Sequence, residues 1–380
     1  MRVLIGKFCF PFAVSLILAA APAQETQNTQ AALPKDVYPE TFNRLPWINT
    51  RGLGGAGAIR LYGSQGNVRF QSSVSRDLTE LAILTTAREH DQPYEWSLHE
   101  MEAVAVGLDP AVVDVVRHRK PLSGIGQKES ALVQIGREIF GKHKLSSETY
   151  ARALKLFGER DLVDLVDLMA NYAGTSARLT VFNQHMPPGW KQFLPLPFTP
   201  PDDIHPDSRS RLPLIQRPTP ASASPPALYS RPLAPEGTGP AHIRRHGAGL
   251  KSLEASAGRR LMELAVLVTA REHDAQYEWT MTEPAALKDG LEPAIIDVVR
   301  LRKPVTALAE KDAALIELGR EVFRKHMVSA QTYARALKAF GEQDLVDVID
   351  LMAQRTADEV LLIAFDQQLF PDQKPLLPIQ

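Results

Sequence analysis

The chain has a single cysteine, Cys9, in 380 residues. Cys9 lies in an N-terminal stretch with the marks of an export signal: basic Arg2 and Lys7, a mostly apolar run from Phe8 to Ala21, and Ala21-Pro22-Ala23 as a cleavage site. Cleavage after Ala23 leaves 380 − 23 = 357 residues and no thiol. That excludes a disulfide scaffold, cysteine-ligated zinc, an iron–sulfur cluster and thiol catalysis. An excess of one charge is also missing. The chain has 43 basic and 44 acidic residues, and removing Arg2 and Lys7 leaves 41 against 44, a formal charge of −3. With no basic tract, no nucleic-acid partner is expected. No apolar run after residue 23 reaches about 18 residues, so no membrane association beyond the signal is expected, the alternative to cleavage being a signal retained as an anchor. The expected location is secreted or periplasmic.

What is present is an internal repeat. Residues 76–170 align without a gap with 259–353, at an offset of 183, with 56 identities in 95 positions. Shared blocks include TAREHD (86–91 and 269–274), YEW (94–96 and 277–279) and TYARALK (149–155 and 332–338). So long a period means two copies of one domain rather than a solenoid. Between the copies, residues 187–240 hold 15 of the 29 prolines. Proline fixes φ and removes a donor, so this stretch reads as an extended linker that docks in part through residues such as Phe193, Leu194 and Leu214. The organisation expected is a signal (1–23), a polar disordered segment (24–40), domain 1 (41–186), the linker (187–240), domain 2 (241–370) and a tail (371–380).

Each copy reads as helical. Apolar residues at 81, 84 and 87 have helical spacing. Asp91-Gln92-Pro93 breaks that helix, and Pro93 suits the start of a second, which stops at Gly107. Asp109-Pro110 begins a third; its cluster of valines competes with the helix, but the basic end at Arg117–Lys120 favours it. Lys128–His143 is a fourth. Ser146 caps a fifth, Gly158 ends it, and a sixth runs from Asp161 to about Asn183. No segment alternates strictly, so the fold class expected is all-α, a bundle of about six helices present twice.

Glu80, Glu95 and His99 stand out as chemistry. Glu95 and His99 are i and i+4 and share a helix face. The break at 91–93 folds that helix back beside the first, so Glu80 can face the same interior. Two carboxylates and an imidazole in a partly apolar pocket form a proton-transfer set. Desolvation would raise a glutamate's pKa, and a nearby carboxylate would fix the imidazole tautomer. In the second copy Glu263 and Glu278 match Glu80 and Glu95, but Thr282 stands where His99 should be, so this site reads as degenerate. The bland alternatives are pairing of Glu80 or Glu263 with Arg88 or Arg271, a solvated face position for Glu95, and core packing for His99, Tyr94 and Trp96. His90, His273, His143 and His326 recur in both copies and read as structural. All three site residues can ligate a metal, but the paired E-x-x-H arrangement of di-iron bundles is missing, so no metal is assigned.

The stretch from Glu80 to His99, E-L-A-I-L-T-T-A-R-E-H-D-Q-P-Y-E-W-S-L-H, resembles the signature region of the carboxymuconolactone decarboxylase family. The later G-R-E-I-F…S-S-E-T-Y…F-G-E-R-D-L-V-D-L-V (136–166) is similar too, and the resemblance covers roughly 40–186 and 226–370. It implies the alkylhydroperoxidase D-like fold. The redox branch of that family carries a C-x2-C-x3-H motif whose cysteines fall on Gln92 and Glu95 here, so dithiol peroxide reduction is chemically closed to this chain. The decarboxylase branch uses no cofactor. The resemblance therefore implies acid–base carboxy-lyase chemistry on a small acid or lactone at Glu80, Glu95 and His99, with Tyr94, Trp96 and Gln92 beside the pocket. It also implies a homo-oligomer, here a trimer of two-domain chains. The alternative from another class is a non-catalytic oligomeric or binding protein on the same fold.

Overall fold

Polar caps and glycines punctuate the chain into helices. The computed structural model describes residues 33–47, 55–64, 66–196, 203–215 and 238–379. The signal and Cys9 lie outside the described residues. Short helices α1 (Ala56–Arg60) and α2 (Val68–Gln71) precede the repeat. They lead into α3 (Arg76–Glu89), α4 (Pro93–Ala105), α5 (Pro110–Arg117), α6 (Gln127–Lys142) and α7 (Ser147–Val181). Gln92 caps α4, its Oε1 accepting from the Tyr94 N–H at 3.1 Å. Asp109 caps α5 and Ser146 caps α7 in the same way. The valines of α5 fall at helical spacing, and Val112, Val113 and Val116 are all buried. Gly158, at φ 75° and ψ 170°, divides α7 into two rods, which are the expected fifth and sixth helices.

The second half repeats these helices at the same offset. They are α8 (Gly239–Arg244), α9 (Leu250–Glu272), α10 (Gln276–Lys288), α11 (Pro293–Arg300), α12 (Glu310–Arg320) with a π-helical turn at Glu321–Lys325, α13 (Ala330–Phe340) and α14 (Glu342–Ala364). Among the described residues there is no β-strand, and no helix is long and apolar enough to cross a membrane. The all-α class is thus established.

The halves are not packed as separate balls. Residues 33–380 form one compact unit with two apolar cores. Each core contains the end of the other half's last helix. Leu179 and Val181 of α7 and its C-cap Phe182 lie in the second core, and Val360 and Leu361 of α14 and its C-cap Phe365 lie in the first. Tyr94 and Tyr277 are exchanged likewise. Where α7 crosses α14, Gly174 is required. A Cβ there would sit 2.5 Å from the Ala353 carbonyl oxygen.

Two arms close the ends. Arg44 donates to the carbonyls of Leu145 (3.0 Å) and Ala364 (3.1 Å), while Arg211 donates to those of Val181 (2.8 Å) and Val328 (2.9 Å). Since 145 + 183 = 328 and 181 + 183 = 364, the two arginines make the same bonds with the halves interchanged. Residues 203–214, inside the proline-rich stretch, therefore repeat 36–47. This also corrects the expectation of disorder through residue 40. Val37 is buried and Asp36 pairs with Arg44 at 2.8 Å, so residues 33–40 are held by the arm's own contacts.

Four histidines line the exchange interface. His90 faces His326 with ring centroids 5.4 Å apart, and His143 faces His273 at 6.0 Å. Burial, then the neighbouring His326, push His90 down to about 3, although the Thr86 carbonyl opposes this. Its unfolded value is 6.5. Below that pH the unfolded chain takes a proton that the folded chain refuses, so this contribution to stability is lost as pH falls. The wild type is expected to lose about 2 kcal/mol relative to His90→Gln between about pH 7.5 and pH 5. Urea midpoints of the two proteins across that range measure it.

Candidate functional site

The α3–α4 hairpin brings the sequence-identified set together. Asp91 takes φ 47° at the turn, and the two helices then run side by side. His99 on α4 reaches Glu80 on α3, with Nδ1 2.7 Å from Oε2. Its other nitrogen, Nε2, lies 3.2 Å from Glu95 Oε1, one turn back on its own helix. All three side chains are buried. The imidazole is thus held between two carboxylates, and the Tyr172 ring of α7 stands perpendicular to it at 5.0 Å.

The sequence reading omitted two arginines and a third carboxylate. Arg69, from α2, donates to Glu80 Oε1 through Nε (3.1 Å) and Nη2 (3.0 Å). Arg76 donates to the same oxygen at 2.7 Å. Arg69 also pairs with Glu102, one turn beyond His99. Arg76 sits at i−4 from Glu80, so helical spacing alone pointed to it. Arg69 lies outside the gap-free repeat, on a four-residue helix with no sequence signature.

These cations correct the expected electrostatics. Burial alone would raise Glu80. The hydrogen bond from His99 and the charges of His99, Arg69 and Arg76 outweigh it and hold the carboxyl down at about 2. For His99 burial works downward, but hydrogen bonds to Glu80 and Glu95 outweigh it and raise the imidazole above its ordinary value. Glu80 is therefore held as an anion, and the protonated form of His99 is favoured. Glu95 keeps one oxygen, Oε2, buried and without a hydrogen-bond partner.

Other residues read as chemistry are placed elsewhere. The Tyr94 hydroxyl lies 3.1 Å from Thr238 Oγ1, among residues of the second core. Trp96 is fully buried, with Nε1 donating to Glu100 at 2.6 Å. Gln92 is committed to the α4 cap and to Thr180, 3.0 Å away. Arg88 pairs with Asp91 rather than with Glu80. Glu80, His99 and Glu102 lie close enough to share a cation, with ligand atoms within 4.8 Å of one another. Arg69 already bonds both carboxylates and Arg76 bonds Glu80, so positive charge at this spot is supplied by guanidinium groups.

In the second half, Glu263, Glu278 and Thr282 line a cleft of about 260 Å³ together with Arg355. Arg355 Nη1 lies 3.5 Å from Glu278 Oε1. Glu278 is pushed up to about 7, first by burial, with Arg355 pulling the other way. No family model matches the chain, and neither a curated protein nor a solved structure matches it.

Proposed function

We propose that the chain is an exported, cofactor-free acid–base enzyme of the carboxymuconolactone decarboxylase type, acting on a small acid or lactone at Glu80, Glu95 and His99. The clamp on His99 carries this reading: Glu80 Oε2 lies 2.7 Å from Nδ1 and Glu95 Oε1 3.2 Å from Nε2. In the proposed step, the carbon–carbon bond to the departing carboxylate breaks and its electron pair stays on the substrate carbon. Carbon dioxide leaves, and the proton on His99 Nε2 passes to that carbon. Ionised Glu80 holds the ring and stabilises its charged form. Glu95 would return a proton from solvent to Nε2. The homo-oligomer, a trimer of two-domain chains, belongs to the same proposal.

The test is a screen of lactone acids and keto acids against the mature protein, followed by His99→Ala and Glu95→Gln. Each substitution is expected to lower kcat at least about 100-fold. Activity that survives both at the wild-type rate overturns the reading. One observation favours the second class, a non-catalytic binding or oligomeric protein: Glu80 is fully buried and accepts from three cationic side chains, as in a structural ion network. On that reading no acid is turned over, and the same substitutions alter stability alone.

A further inference from the structure

The second half has lost the groups that saturate the first. At the 183-residue offset, Ser252 stands for Arg69, Thr282 for His99, Ala285 for Glu102 and Arg355 for Tyr172. Arg259, the counterpart of Arg76, pairs with Glu254 at 2.7 Å on the surface. Glu263, the counterpart of Glu80, consequently has no hydrogen bond or ion pair among the described residues. Thr282 is only 7% exposed and lines the cleft, and its hydroxyl also has no hydrogen-bond partner there. This hydroxyl opens toward the cavity, where a polar group from outside can reach it.

Arg355 is poised in the same way. It is 39% exposed, and its contacts with Glu278 and Asp358 are both long, at 3.5 Å. A guanidinium has five donors, so most of this one is unused. The remaining wall is apolar, built from Met262, Val266, Met281 and Leu351. An apolar slot with a few convergent polar groups is the common form of a small-molecule site.

We propose that this second-half cleft binds a small organic acid, its carboxylate on Arg355 and the Thr282 hydroxyl and its apolar body against Met262, Val266, Met281 and Leu351. The half that looks degenerate by its missing histidine is then the receptive one. An anion is chosen over an amine because of Glu278. Its side chain is 13% exposed, and it faces Glu263 from α9 and Arg355, Asp358 and Glu359 from α14. Burial and these acids outweigh Arg355 and hold the carboxyl neutral up to about pH 7. Neutral Glu278 donates its O–H to the ligand carboxylate; ionised Glu278 repels it and competes for Arg355. Affinity for the acid should therefore fall as pH rises through 7.

Benzoate is a suitable probe, because it stays ionised throughout this range. Titration calorimetry on the full mature chain at about pH 6 is expected to give a Kd of about 1 mM or tighter, within the ceiling for so small a ligand. Arg355→Gln should weaken it at least tenfold. Glu278→Gln, which keeps a donor and cannot ionise, should bind about equally at about pH 6 and pH 8.5, while the wild type weakens severalfold. Thermal melts identify any variant that fails to fold. The proposal is overturned if benzoate does not bind, if Arg355→Gln binds it as tightly as wild type, or if benzylamine binds better than benzoate. Loss of benzoate binding in His99→Ala, with Arg355→Gln unaffected, would place the ligand in the first half and overturn it as well.

Discussion

Glu80→Ala is expected to lower folding stability by about 3–5 kcal/mol. The carboxylate is fully buried and serves three cationic partners: Arg69, Arg76 and His99. Its removal leaves the Arg69 guanidinium, itself 8% exposed, with Glu102 as its remaining carboxylate and His99 with Glu95 alone, so the buried positive charge is only partly compensated. Unpaired buried charge is costly because neither water nor a counter-charge compensates it. The matching change in the second half, Glu263→Ala, removes a carboxyl that pairs with nothing described, and should move stability by less than about 0.5 kcal/mol. Urea denaturation of the two variants gives the comparison directly. Equal midpoints would show that the ion network around Glu80 adds nothing to the fold.

Arg44→Ala should cost about 3–4 kcal/mol, and Arg211→Ala about the same. Each side chain is almost fully buried and bonds two backbone carbonyls, one of them at the end of a long helix from the opposite half. Truncation leaves those acceptors buried without donors. It also removes the guanidinium stacked 4.8 Å over Tyr150 in one arm and 4.7 Å over Tyr333 in the other. The two arginines share no partner, so the double variant should show the sum within about 0.5 kcal/mol. A loss under about 1 kcal/mol in each single variant would mean that the arms are dispensable.

Much of this was legible in the sequence because the signals are local. Gln92-Pro93, Asp109-Pro110, Ser146 and Gly158 mark helix boundaries through their own backbone chemistry, and the structure places boundaries at each. The i, i+4 spacing of Glu95 and His99 put them on one face, and the turn at Asp91 brought Glu80 to them. The rest depends on long-range partners. Desolvation predicts a raised glutamate in this set, whereas at Glu80 the hydrogen bond and charge of His99, then Arg69 and Arg76, outweigh burial and give the opposite sign. The second arm stayed hidden because its offset is 211 − 44 = 167 rather than 183, with only five identities in twelve positions amid prolines. An apolar helix face shows that something covers it, but not that the cover comes from the other half. Thr282 read as a loss because only the missing base was visible, whereas the space it leaves and the arginine that enters at 355 belong to the fold.

The exchange of helix ends sets the conditions under which this protein can exist. Two unlinked copies folded this way would form an isologous dimer, each incomplete without its partner, and their stability would rise and fall with protein concentration. Covalent connection makes that association intramolecular, so folding becomes independent of dilution. It also releases each half from identity with the other. In a dimer of equal chains, an arginine in place of Tyr172 would enter both pockets at once and disturb the histidine clamp. In a single chain it enters one pocket only, so the clamp and the open cleft can coexist in one molecule.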